Sequence, residues 1–390
     1  MKIGLITGEY PPMQGGVGDF TRELARALAK QSHDVHVITG TSAGLDDDGV
    51  CAHRVVKSWG LGCWRSIAAV ARQEALEALN IQYEPAAYTM QVGVNFLPSP
   101  WVRRSIEAPI VTTYHDLLMP YLFPKAGPLR WKVVEYLARR SDATIVTNEE
   151  DRARLSNLHA KRPISNLHLI PIGSNIQPAS AGVFDVAAER ERWHVRRDEF
   201  TIGYFGFLNL SKGGEALMWA LRWLLDQRLP VRLILIGGQT GTSDPTNAAY
   251  AAQVAALIAA LDLKEQVSVT GYLDAAGVSR ALLACDVLAL PYIDGASVRR
   301  GSLLAAIAHG RAIVTTTPRY PIAGLTPDQT VVYVPPNDPP ALAQAIRRVL
   351  LDPELRSRLA QAARAAAQLY TWERIAAKTL EVFRAVTSNA

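Results

Sequence analysis

"DVLALPYIDGASVRRGSLLAAIAHGRAIVTTT", residues 286–317, sets an apolar strand, an apolar helix and a second apolar strand in direct succession. The strands are DVLALPY (286–292) and AIVTTT (312–317), and a helix is expected from about Ser302 to His309, closed by Gly310. A strand with no polar face needs cover on both sides. Alternation with helices supplies that cover, so the stretch predicts a parallel sheet in an α/β domain.

The same rhythm runs outward from it. Before it lie FTIGYFGF (200–207), VRLILIGG (231–238) and VSVTGY (267–272). After it come VVYV (331–334) and three helical segments that reach the C-terminal residues. The first half repeats the pattern with KIGLIT (2–7), DVHVIT (34–39), AAYTMQ (86–91), PIVTTY (109–114), ATIVTN (143–148) and LHLIPI (167–172). Helical stretches such as DFTRELARALAKQ (19–31) fall between them. The rhythm breaks at 173–198, rich in Ser, Ala, Pro and charge. The reading is therefore two Rossmann-like, doubly wound parallel-sheet domains, 1–178 and 196–370, joined by a linker at 179–195. A ligand is expected in a cleft outside the carboxyl ends of both sheets.

Composition agrees with an enzyme-like globular chain. At 390 residues it is too long for one ordinary core. Three cysteines without CxxC spacing suit a reduced, cytoplasmic setting. The opening MKIGLITGEYPP reads as neither signal peptide nor membrane span, so membrane association is expected to be peripheral at most. Formal charge is +5. Residues 101–140 concentrate it, with seven basic side chains (Arg103, Arg104, Lys125, Arg130, Lys132, Arg139, Arg140) against Glu107, Asp116 and Glu135. Solvated helix faces account for this as well as an anionic or membrane-borne acceptor does. No basic–aromatic stripe or known module points to nucleic acid.

Four loops carry chemistry. Gly15, Gly16 and Gly18 precede the first long helix, where free amides favour anions, although the spacing is not the dinucleotide fingerprint. His115 ends a strand in TTYHD (112–116), a place for ligand binding or acid–base work. Lys212 stands before Gly213 and a helix start, where it can act as a point charge on a phosphate. Gly301 and Ser302 leave free amides at a helix N-terminus behind Arg299 and Arg300. That arginine pair opposes the helix dipole and calls for something anionic. Asp46 and Asp48 form D-x-D in a polar loop and read as solvated acids rather than a metal site. No zinc pattern, G-x-S-x-G elbow or Walker loop is present.

In order and spacing these motifs resemble retaining glycosyltransferases of family four, with the GT-B fold. The likeness runs from EYPPMQGGVGDF through TTYHD, LIPIGSNI, FGFLNLSKG and VSVTGYLD to LLAAIAHGRAIVTT and YTWERIAAKTLEVFR. The resemblance implies transfer of a sugar from a nucleotide diphosphate donor in glycan biosynthesis, with retention and no bound metal or cofactor. It implies Gly15 and Gly16 near the diphosphate and sugar, His115 near the transferred sugar, Lys212 on the diphosphate, Gly301 and Ser302 as amide donors, and Tyr272 at the nucleobase. It also implies that the last helix, 371–390, packs back on the first domain. The acceptor could be a saccharide, a lipid-linked sugar or a small molecule.

The sequence departs from the family at three places. The E-x7-E glutamates align with Ser297 and Ala305, and the GRL arginine with Phe207. Arg299 or Arg300 is expected to replace the missing cation. The alternative is a non-catalytic GT-B protein that binds a sugar or nucleotide as partner of an active transferase.

Overall fold

The computed structural model describes residues 1–390 apart from 14, 43–48, 118–128, 158–163, 165, 180–184, 238–244, 389–390 and the side chains of 129–130 and 245–247. The D-x-D loop and Lys125 lie outside the described residues, as does the Arg130 side chain. The chain divides into two compact units, Met1–Gly173 with Thr371–Ala390, and Ser174–Tyr370.

The first unit contains strands β1 (Lys2–Ile6), β2 (Asp34–Gly40), β3 (Val50–Val56), β4 (Ala78–Tyr83), β5 (Ile110–Tyr114), β6 (Ala143–Val146) and β7 (Leu167–Leu169). Its helices are α1 (Gly16–Lys30), α2 (Cys63–Gln73), α3 (Pro100–Arg103), α4 (Leu129–Arg140) and α5 (Glu149–Ser156). Among the described residues the strands pair in parallel in the order β3-β2-β1-β4-β5-β6-β7.

The second unit holds helix α6 (Val186–Arg192), strands β8 (Phe200–Phe205) and β9 (Val231–Ile236), and helices α7 (Gly214–Asp226) and α8 (Pro245–Ala260). Then come β10 (Val267–Val269), α9 (Ala275–Ala284), β11 (Val287–Leu290), α10 (Gly301–Ala308), β12 (Ala312–Thr316) and β13 (Val332–Val334). Helices α11 (Pro339–Leu351) and α12 (Pro353–Ala367) complete it, and the chain ends in α13 (Trp372–Thr387), which belongs to the first unit. The second sheet is also parallel, in the order β10-β9-β8-β11-β12-β13.

Both sheets are covered on two faces, as all-apolar strands require. In the first unit one face packs under α2 through Ile38, Val56, Ile67 and Ile81. The other packs under α1 and α13, with Leu24, Leu28, Trp372, Ile375 and Phe383 in one core. Phe20 and Trp372 meet edge to face at 5.2 Å. No helix among the described residues is long and apolar enough to cross a membrane.

The structure departs from the sequence pattern in three places. The strand expected at 86–91 is a turn in which Thr89 and Met90 take positive φ of 52° and 59°. The real strand is β4, whose Asn80 and Gln82 broke the apolar run that sequence reading sought. They are fully buried nonetheless, because they hydrogen-bond to one another and to β5. The edge strand β3 carries no continuous apolar run, since Cys51, His53 and Arg54 make it half polar. Finally, the stretch 179–195 carries α6 rather than plain linker. Arg190 pairs with Asp286 and donates from Nε to the Ala284 carbonyl at 3.0 Å, which ties α6 to the end of α9.

Candidate active site

An open parallel sheet offers a ligand site where its strand order reverses, outside the carboxyl ends of the strands. In the second unit the reversal lies between β8 and β11. The chain leaving β8 turns at Gly206 (φ 122°), runs through Leu210–Lys212 and enters α7 at Gly213 (φ 68°). The chain leaving β11 enters α10 at Gly301.

Ser211 stitches these two connections together. Its carbonyl accepts from Ile293 N at 3.0 Å, and its Oγ accepts from Arg300 Nη1 at 3.0 Å. Lys212 folds back over the Gly206 Cα: a Cβ built on Gly206 would stand 2.3 Å from Nζ. The ammonium is thus held where a side chain at 206 would otherwise lie. Burial, followed by the nearby Arg300 guanidinium, pulls its pKa down to about 8. Desolvated cations crowded together are stabilised by any anion that enters.

Arg300 is held on several sides. Its Nη2 donates to both carboxylate oxygens of Asp294 at 2.7 and 2.5 Å, and the guanidinium lies 5.2 Å over the Tyr292 ring. It is aimed by three partners, one of which offsets its charge. Arg299 is half-buried, with its backbone N–H on Ser297 Oγ at 3.3 Å. Ser302 is buried, and its hydroxyl is engaged by the Tyr292 phenol at 2.7 Å, so its backbone N–H rather than its side chain faces a ligand-binding role. The N–H groups of Gly301 and Ser302 meet no acceptor among the described residues. A Cβ at Gly301 would meet nothing within 4 Å. Tyr272, after the left-handed Gly271, is 84% exposed, which leaves its ring face open for stacking. Ala305, by contrast, is fully buried inside α10.

In the first unit the reversal lies between β1 and β4, and the chemistry there differs. Gly15 does not leave a vacant cradle: a Cβ there would stand 1.8 Å from Glu9 Oε2. Gly16 opens on free space. Burial, then Glu84 and Asp19, raise the Glu9 pKa, and Asp19 in the first turn of α1 is raised by burial first. Three carboxyl groups around this loop oppose a diphosphate and suit hydroxyl donors instead.

His115 follows β5, with Nε2 2.9 Å from Gln82 Oε1 and its ring edge to face with Phe20 at 4.5 Å. Gln82 in turn donates to Asn80, which reaches Thr113 Oγ1 at 3.0 Å. Burial drives the His115 pKa to about 3, so it is neutral near pH 7 and is a hydrogen-bonding group rather than an acid. Glu9, Gln82, Tyr292 and Asp294 were missed from sequence. The only signal was the pair of amides in the otherwise apolar β4.

The basic stretch 101–140 is partly neutralised. Arg103 pairs with Asp142 at 3.3 Å and Arg139 with Glu135 at 2.7 Å.

Buried histidines make a stability prediction. His309, which caps the end of α10, bonds the Ala305 carbonyl through Nδ1 at 2.7 Å and Ser279 Oγ through Nε2 at 2.9 Å, and burial lowers its pKa to about 4. An unfolded imidazole protonates near 6.5. Below that, the unfolded chain binds protons that the folded chain refuses until about 4 for His309 and about 3 for His115. Stability therefore rises with pH across this window and is lost on acidification through it. The fall in Tm between about pH 7 and about pH 5 should be smaller for His115→Gln/His309→Asn than for the parent. An equal fall would assign the acid sensitivity to other groups.

Two parallel-sheet units, each with a loop site at its reversal point, are the arrangement of the GT-B class of glycosyltransferases. The chain belongs to glycosyltransferase family four: residues 14–177 match the Glycosyltransferase Family 4 model and 185–366 match Glycosyl transferases group 1. The D-inositol 3-phosphate glycosyltransferase of Xylanimonas cellulosilytica is 27% identical over 65% of this chain and 60% of its own length. The first curated relatives matched are spanned to about three fifths of their length. The phosphatidyl-myo-inositol mannosyltransferase of Mycobacterium leprae is 24% identical over 100% of this chain and 98% of its own. Among solved structures, Anabaena Alr3699/HepE in complex with UDP superposes with a TM-score of 0.77 at 18% identity, covering 99% of this chain and 100% of that one.

Proposed function

We propose that this protein is a retaining, metal-independent glycosyltransferase that takes a sugar from a nucleoside diphosphate donor and passes it to a hydroxyl-bearing acceptor. One observation carries the reading. Lys212, Arg300 and the two open amides of α10 converge at the β8–β11 reversal of the second sheet. As the donor bond breaks, negative charge accumulates on the departing diphosphate, and fixed cations and amides there meet it without reorganising. Arg300 takes the place of the cation lost at Phe207, and Tyr272 stacks on the base. The carboxylates of Glu9, Glu84 and Asp19 suit the hydroxyls of a sugar-like or polyol acceptor, and neutral His115 orients the transferred sugar. Retention follows front-face attack, in which the acceptor hydroxyl enters beside the leaving phosphate and gives that phosphate its proton.

The test is a thermal-shift screen with UDP, GDP, ADP, dTDP and CMP, each with magnesium and with EDTA. The Anabaena neighbour has been solved with UDP and with UDP-glucose, so UDP is the first to try. One nucleotide should raise Tm equally in EDTA and magnesium, and Arg300→Ala should weaken that shift. A shift that requires magnesium would refute metal independence. Loss of stabilisation by every nucleotide would favour the non-catalytic binding protein, which the absence of glutamates at Ser297 and Ala305 also suits. If Arg299→Ala and Arg300→Ala both left nucleotide affinity untouched, the replacement of the missing cation would be wrong.

A further inference from the structure

Away from these loops, within strands β2 and β3, three metal-ligating side chains meet. The parallel register sets His36 of β2 beside Cys51 of β3, and Ile38 beside His53. Side chains alternate along a strand, so His36, Cys51 and His53 share one face of the sheet. Their donor atoms all lie within 4.8 Å of one another. His36 Nδ1 is 3.0 Å from His53 Nε2, and the rings stack at 5.2 Å with 23° between planes. Asp34, two residues before His36 on the same face, places Oδ1 3.2 Å from His36 Nε2.

We propose that His36, Cys51 and His53 bind a zinc ion that clips edge strand β3 to β2, with Asp34 as the carboxylate behind His36. Nitrogens bound to tetrahedral zinc at ~2.0–2.1 Å stand about 3.3 Å apart, close to the observed 3.0 Å. In the metal-free form one proton occupies the space between the two imidazoles. Zinc takes that position, the hydrogen moves to the other nitrogen of its own ring, and the Cys51 thiol releases a proton on becoming a thiolate ligand. Asp34 Oδ1, 3.2 Å from His36 Nε2 but not hydrogen-bonded to it, stands beside the place of the carboxylate that commonly backs a ligating histidine, and a small ring rotation on metal binding would join them. Two imidazoles and a thiolate select zinc or a similar borderline ion over magnesium or calcium.

Water would complete the tetrahedron beside the exposed Cys51, and the ion's place is one that braces strands rather than serves transfer. Asp34 opens β2 and Cys51 is the second residue of β3, whereas the loops assigned to sugar transfer follow the carboxyl ends of the strands. A zinc here leaves the metal independence of transfer intact. Sequence spacing concealed the site because two neighbouring strands, not one short motif, bring it together.

The test is a cobalt(II) titration of tag-free, reduced, metal-stripped full-length protein, followed by displacement with zinc. A thiolate-to-cobalt charge-transfer band should grow to one equivalent, vanish in Cys51→Ser, and require at least about tenfold more cobalt in His53→Ala. Zinc should raise Tm in the parent and not in Cys51→Ser. Cys63 and Cys285 do not account for the band, because both are buried and their thiols are pushed up to about 12. Circular dichroism of both metal-free variants establishes that they are folded. A parent that shows no band, a folded Cys51→Ser that keeps it, or a folded His53→Ala with parental cobalt affinity would each overturn the proposal.

Discussion

Lys212→Ala is expected to lower the rate of sugar transfer by about 10²–10³, a loss of ~2.7–4 kcal/mol of transition-state stabilisation. The size follows from the setting. Lys212 is a cation held against the Gly206 backbone, desolvated enough that its pKa is about 8, with Arg300 alongside. An ammonium so placed gains most when the diphosphate takes on charge, which is the moment of bond breaking. Steady-state kinetics with the donor identified by thermal shift should show the loss mainly in kcat, with a smaller rise in KM. Lys212→Arg should recover only part of the rate, since a planar guanidinium does not reproduce a compact point charge in that space. A fall of less than about tenfold for Lys212→Ala would remove Lys212 from the reaction.

The second large effect is on stability. Gly213 has φ 68°, and a Cβ there would stand 1.9 Å from the carbonyl oxygen of Pro291. Both a left-handed backbone and a backbone collision therefore resist any side chain. The carbonyl belongs to the chain leaving β11, which Ser211 already ties to the β8 turn, so neither partner can step aside cheaply. Gly213→Ala should cost more than about 2 kcal/mol, combining the ~1–2 kcal/mol of the left-handed conformation with the strain of the clash. Gly16→Ala is the matched control. Its Cβ meets nothing within 4 Å, and its unfolding midpoint in urea should stay within error of the parent. Equal midpoints for Gly213→Ala and the parent would show that the β8–β11 junction yields freely.

The fold was legible because its decisive pattern is local. Runs such as LILI in β9 and VLAL in β11 need two covered faces, and helices between them provide the cover. Legibility failed where tertiary contacts overrule local pattern. Asn80 and Gln82 are buried only because β5 and the residue after it supply Thr113 and His115, which no window around β4 contains. The site was half visible. Lys212, Gly301 and His115 could be picked out by their place after strands, since loop position is a matter of order along the chain. Their partners could not. The meeting of His36 with His53 depends on pairing between strands, while the engagement of Arg300 by Asp294 and the filling of the Gly15 space by Glu9 depend on how one irregular connection folds back on itself, which periodicity does not record.

Helix α13 bears on how the molecule comes into being on the ribosome. Its Ile375, Leu380 and Phe383 lie in the same core as Leu24 and Val37, yet the whole second unit is synthesised in between. The unit begun first is therefore closed last. Until α13 emerges, the face of the sheet built from β1 and β2 lacks part of its cover, while the second unit, continuous in sequence, already has every strand it needs. A chain cut after Tyr370 would keep every element of the second unit and leave the α1 face of the first sheet partly uncovered.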